Sequence, residues 1–155
     1  MTGEIIQIVE DEGLIALHIT EILEKAGYRV LDPAYSGEMA LRVLETFPIP
    51  GLILMDIGLG GSLDGIETAR QIQQRFPVPL IFITAYTSEN LLARMLEVAP
   101  EGVITKPFVD TDLLDLVGKA LSHTATKARP GNNNGDPPRI SSFCLNGTGT
   151  LSVDE

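Results

Sequence analysis

Short apolar runs alternate with amphipathic stretches through the first 124 residues. The runs are Ile5-Ile6-Gln7-Ile8-Val9, Leu52-Ile53-Leu54-Met55, Leu80-Ile81-Phe82-Ile83 and Val103-Ile104, with a weaker one at Tyr28-Arg29-Val30-Leu31. Nearly continuous apolar runs of this length predict strands covered on both faces. Between them apolar residues recur at helical spacing. Ile15, Ile19, Ile22, Leu23 and Ala26 share one face, and Ala40, Val43, Leu44 and Phe47 share another. Leu92, Met95, Leu96 and Ala99 form a third stripe, and Leu113, Leu116, Val117 and Ala120 a fourth. Ile66, Ala69, Ile72 and Phe76 fit more loosely. Gly27, Pro48, Pro50, Pro77, Pro79 and Pro100 fall between the elements, where helix and strand must stop. Strict alternation of five strands and five helices predicts an α/β fold. Its five-stranded parallel sheet is joined by right-handed crossovers, with helices on both faces.

The pattern stops near residue 124. The stretch Arg129-Pro130-Gly131-Asn132-Asn133-Asn134-Gly135-Asp136-Pro137-Pro138 cannot hold a helix or bury a core. The expected organisation is a folded domain over 1–124 and a flexible Pro/Gly/Asn-rich tail or linker over 125–155. Ile140-Ser141-Ser142-Phe143-Cys144-Leu145 is too short to fold alone but long enough to pair with a sheet edge.

Charge divides the chain at the same place. The whole net charge of −10 sits in residues 1–124, where 18 acidic side chains face 8 basic ones. Such a domain repels phosphate backbones and anionic lipid surfaces, so neither nucleic acid nor membrane is an expected partner. No run approaches the length of a membrane span. The start Met1-Thr2-Gly3-Glu4 lacks the basic region of a signal peptide, and the single cysteine, Cys144, can form neither an internal disulfide nor a cysteine zinc site. A cytoplasmic setting is expected.

In doubly wound folds, chemistry collects at the carboxyl ends of the strands. Glu10, Asp11 and Glu12 follow the first strand, Asp56 the third, Thr84 the fourth, and Thr105, Lys106 and Pro107 the fifth. Converging Glu10, Asp11 and Asp56 would repel one another unless a cation separates them. Mg2+ suits oxygen ligands and keeps some of its waters. With an ammonium from Lys106 and a hydroxyl from Thr84, the set suits phosphoryl transfer to a carboxylate. Glu12 fits better as a helix cap, in the favourable field of a helix start.

The stretches Ile8-Val9-Glu10-Asp11, Leu54-Met55-Asp56-Ile57, Leu63-Asp64-Gly65-Ile66, Phe82-Ile83-Thr84-Ala85-Tyr86 and Gly102-Val103-Ile104-Thr105-Lys106-Pro107-Phe108 occur in that order. Together they resemble the receiver domain of two-component response regulators, over about residues 4–122. The resemblance implies a flavodoxin-like (βα)5 fold and a signalling switch rather than an enzyme. It implies that Asp56 accepts a phosphoryl group from a sensor histidine kinase or phosphotransfer protein. It implies that Glu10, Asp11, Asp56 and the Gly58 carbonyl surround Mg2+, and that Thr84 and Lys106 touch the phosphoryl group. It further implies a downstream protein target and pairing of two copies through the fourth and fifth helices.

The chain departs from the family's common pattern in three places. The loop Ile57-Gly58-Leu59-Gly60-Gly61-Ser62-Leu63 is one residue longer and has no proline. Val103 stands where many receivers carry an aromatic residue, and Tyr86 stands two residues after Thr84. Val103 has no ring to swing into space vacated by Thr84, so Tyr86 is expected to report the switch. His18 and His123 read as solvated, Ser36 as a helix cap, and Leu91 and Leu114 as extra core or a partner face. Two alternatives compete with the switch. A phosphohydrolase with an aspartate nucleophile usually carries a second Asp two residues on, where this chain has Gly58. An unphosphorylated interaction module would not need Glu10, Asp11, Asp56, Thr84 and Lys106 together.

Overall fold

The computed structural model describes residues 4–46, 48–85, 88–127, 144–146 and 149–151. Strands β1 (Ile5–Val9), β2 (Arg29–Val30), β3 (Leu52–Asp56), β4 (Leu80–Thr84) and β5 (Gly102–Thr105) alternate with helices α1 (Gly13–Lys25), α2 (Gly37–Thr46), α3 (Gly65–Arg75), α4 (Glu89–Glu97) and α5 (Asp110–Lys127). The five strands are parallel, in the order β2-β1-β3-β4-β5. The predicted architecture is the observed one.

Period-two alternation in the central strands feeds two cores. Ile53, Met55, Phe82 and Val103 face the side carrying α2, α3 and α4. Leu52, Leu54, Ile81, Ile83 and Ile104 face α1 and α5. Because both faces are buried, these strands read as unbroken apolar runs. Strand order reverses between β1 and β3, so their carboxyl ends open the crevice where such folds place their chemistry.

Two helix stripes needed correction. On α1, Ala16 is buried, while Ala26 lies past the last turn and is exposed. On α4, Ala99 lies beyond the helix in the left-handed region, at φ 57°. Pro100 follows and disfavours further helix at Ala99. Phe47 lies outside the described residues. Leu91 and Leu114 are half-buried, each packed against one of the two cores.

Where a flexible tail was expected from residue 125, α5 continues to Lys127 and two further strands extend the sheet. β6 (Cys144–Asn146) runs parallel to β5, pairing Cys144 with Val103 and Leu145 with Ile104. β7 (Gly149–Leu151) returns antiparallel to β6. β5 would otherwise present a row of unpaired backbone groups, and the apolar pair Cys144-Leu145 meets that need. Two residue pairs hold β6 weakly. Truncation after Lys127 is therefore expected to lower the melting temperature by no more than about 4 °C, or about 1 kcal/mol in a domain this size. Calorimetry showing a much larger drop would make the hairpin an integral part of the core.

Candidate functional site

The rim at the strand ends gathers the expected side chains. Glu10 follows β1 and is buried. Asp56 ends β3, Thr84 ends β4 and Thr105 ends β5, and all three are buried. Asp11 is exposed at the mouth. Carboxylate oxygens of Glu10, Asp11 and Asp56 lie within 4.8 Å of one another. Lys106 reaches in from the residue after β5, placing Nζ 3.1 Å from Glu10 Oε1 and 3.4 Å from Asp56 Oδ1. Its backbone N–H donates to the Thr84 carbonyl at 2.8 Å, which ties the Lys106 backbone to the end of β4.

Local backbone supports each carboxylate. The Gly58 N–H lies 3.3 Å from Asp56 Oδ1, and the Gly60 N–H lies 3.3 Å from Asp11 Oδ2. The Gly-rich loop thus folds back over the acidic cluster. Gly61 makes this turn with φ 94°, a conformation L side chains rarely adopt. Beyond the loop, the Asp64 side chain caps α3 by accepting from Glu67 N at 2.8 Å. Asp64 also pairs with Arg94 of α4 at 3.4 Å. The spacing Asp64…Glu67 matches a helix-start signature, which could have flagged Asp64 as a cap.

Glu12 occupies the N-cap position of α1, but its side chain makes no capping bond. Instead Glu10 Oε2 accepts from the Glu12 N–H at 3.2 Å. The capping oxygen comes from the buried neighbour because the Glu10 side chain turns towards the helix start. Ser36 does act as expected, its Oγ accepting from Met39 N at 3.1 Å. His18 is exposed, 3.7 Å from Asp110.

Electrostatics match the crowding. Burial, and then the charge of Asp56, push Glu10 up to about 7 from 4.5. Burial pulls the Lys106 ammonium down, but Asp56 and Glu10 together outweigh it and leave it raised. One ammonium cannot balance three carboxylates, so the site still favours a cation or a proton. The three converging hard oxygen donors fit a divalent ion such as Mg2+. Gly58 sits beside Asp56, where an added Cβ would lie 3.8 Å from both carboxylate oxygens. Val103 is fully buried in one core with Phe82, Met95 and Val98. Tyr86 lies outside the described residues.

Comparison with known proteins points the same way. The family model described as a response regulator receiver domain matches residues 6–118. The phyllosphere-induced regulator PhyR of Methylorubrum extorquens is 35% identical over 121 residues, covering 78% of this chain and 44% of that protein. The transcriptional regulatory protein PdtaR of Mycobacterium tuberculosis is 30% identical over 115 residues, covering 74% of this chain and 55% of that protein. The chain thus spans about half the length of these curated relatives. Among solved structures, the N-terminal domain of a response regulator/sensory box/GGDEF protein from Carboxydothermus hydrogenoformans superposes with a TM-score of 0.75 at 36% identity. That match covers 81% of this chain and all of the other. A CheY-like receiver domain from Methanospirillum hungatei also gives a TM-score of 0.75, at 26% identity, covering 82% of this chain and all of the other.

Proposed function

The chain belongs to the response regulator receiver family of two-component systems, and from that premise we propose how its own residues run the switch. Asp56 is the phosphoacceptor. The carrying observation is the convergence of three carboxylates within 4.8 Å of one another, two of them paired with one ammonium, at the strand-order reversal. A carboxylate oxygen of Asp56 attacks phosphorus of a phosphohistidine on a partner kinase or phosphotransfer protein. The phosphorus–nitrogen bond breaks, and its electron pair and a proton end on the imidazole. Lys106 stabilises the transferred oxygens, and the Thr84 hydroxyl takes part as the switch contact. Glu10, Asp11, Asp56 and the Gly58 carbonyl would hold Mg2+, which supplies charge neutralisation at the phosphoryl oxygens.

The phosphohydrolase alternative lacks a general acid at Gly58, so the reading remains a signalling switch that assists its own labelling. Val103 is fully buried, and the switch report is assigned to Tyr86. The folded switch is assigned to the five β–α units that close with α5 at Lys127, with the β6–β7 hairpin an appended segment. Partner contacts divide between two faces. Leu14 and Leu17 on α1 and Val109 just before α5 are exposed and suit the phosphodonor protein, while α4 and α5 suit self-association and the downstream target. Incubation with Mg2+ and acetyl phosphate tests the central reading. An acid-stable, base-labile adduct mapped to Asp56 supports it, and an adduct elsewhere or none overturns it.

Magnesium and protons compete for Glu10. Its pKa lies above the unfolded value, so this group favours the fold most below pH 4.5 and loses that contribution as pH rises through about 7. Mg2+ binds the ionised form and releases a proton. Apparent affinity is therefore expected to be about tenfold weaker at pH 6 than at pH 8. At fixed Mg2+ the melting temperature should rise more at the higher pH. Calorimetric titration showing equal affinity at both values would separate Glu10 from the metal.

A further inference from the structure

We propose that Gly65 is a positioning residue for Asp56, acting by backbone contact alone; the inference rests on Asp56 as phosphoacceptor. A Cβ added at Gly65 would stand 2.2 Å from the Asp56 carbonyl oxygen, 2.5 Å from Ile57 Cα and 2.9 Å from the Asp56 carbonyl carbon. All three are backbone atoms and cannot rotate away. The first turn of α3 therefore rests directly on the peptide that carries the reactive carboxylate. The Gly65 N–H lies 3.3 Å from the Ile57 carbonyl, and the Ile57 N–H donates to Ile83 of β4 at 3.1 Å. The Asp56–Ile57 backbone is thus clamped between β4 and α3.

A neighbouring helix holds the same turn. α2 approaches α3 so closely that a Cβ at Gly37 would lie 2.1 Å from Thr68 Oγ1. That hydroxyl donates to the Asp64 carbonyl at 2.7 Å, and the Asp64 side chain caps the same turn. Gly65 has no left-handed backbone to explain it. At the first position of a helix, propensity alone favours alanine. The missing side chain therefore answers to the approach of Asp56, not to local conformation. A displacement of about 1 Å at a reacting group costs on the order of 10²-fold in rate.

The test is Gly65→Ala, labelled by acetyl phosphate in Mg2+, beside wild type and a core control on the same helix, Ile72→Ala. The expected result is a labelling rate about 10²-fold below wild type that saturating Mg2+ does not restore. Ile72→Ala, assayed where it is folded, labels normally despite its lower stability. Gly65→Ala labelling within about threefold of wild type would overturn the proposal, as would an equal loss in Ile72→Ala. If wild type takes no label, the phosphoacceptor assignment has failed instead. Should Gly65→Ala unfold, it is assayed in trimethylamine N-oxide, which strengthens burial. Slow labelling of the refolded variant there supports the proposal. Normal labelling or failure to refold overturns it, since the contact would then serve the whole domain.

Discussion

Asp56→Asn is expected to take no label from acetyl phosphate while keeping the fold. The substitution replaces the attacking anionic carboxylate with a neutral amide but preserves side-chain shape at a buried site. Loss of a nucleophile acts on the scale of about 10³-fold or more, so residual labelling should vanish into background. The two remaining carboxylates are assigned to the metal rather than to the phosphoryl group. Glu10 is buried, accepting from the Glu12 N–H and from Lys106. Asp11 is exposed and accepts from the Gly60 N–H in the loop. The electrostatic consequence is separate from the chemical one. Burial would still hold Glu10 above its ordinary value, but the second raising cause, the Asp56 charge, is gone. Glu10 should therefore ionise at lower pH than in wild type, and Mg2+ should bind more weakly for want of one carboxylate. Mass spectrometry of the treated protein and calorimetry with and without metal read the two effects. Undiminished labelling of the variant would remove Asp56 from its assigned role.

The acidic rim was legible in the sequence because strand ends are legible. An apolar run such as Leu52 to Met55 must stop where a charge begins, so Asp56 identifies its own place at the rim. The same logic placed Glu10, Thr84 and Lys106. Helical stripes were legible where large side chains repeat, as in Leu113, Leu116, Val117 and Ala120, all of them buried. They were harder to read where small residues pack. Gly65 and Thr68 bury the first turn of α3, and neither contributes to an apolar stripe. The contact of Gly65 with Asp56 is a missing side chain against a backbone, for which periodicity has no signal. Glu10 as the cap of α1 was hidden because capping depends on which way a side chain turns. Strand β6 was legible only as a segment able to pair with some sheet edge, and β7 not at all, because the free edge of β5 exists only once the sheet has formed.

Lys106→Met is expected to slow labelling by about 10²- to 10³-fold, the usual effect of deleting a donor aimed at developing charge. Among the described ion pairs, only Lys106 reaches Glu10 or Asp56. Methionine keeps much of the aliphatic stem, so the loss reports charge rather than packing. Glu10 then loses both influences of Lys106 that lower its pKa, the hydrogen bond and the charge. Burial and Asp56 remain, so its pKa should climb above about 7. The pH at which metal-dependent labelling reaches half its maximum should rise with it. In the metal-free variant, Glu10 ionises without a partner at high pH. Breaking a largely buried pair in this way costs on the order of 3 kcal/mol, felt at pH 8 and relieved at pH 6 as Glu10 takes up a proton. Saturating Mg2+ should restore much of that stability but not the rate, because the metal offsets the carboxylates without replacing the Nζ donor. Lys106→Arg retains the charge in a larger, planar group and should recover only part of the rate. Labelling of Lys106→Met within about threefold of wild type would show that Lys106 serves to hold the resting carboxylates and not the transferred group.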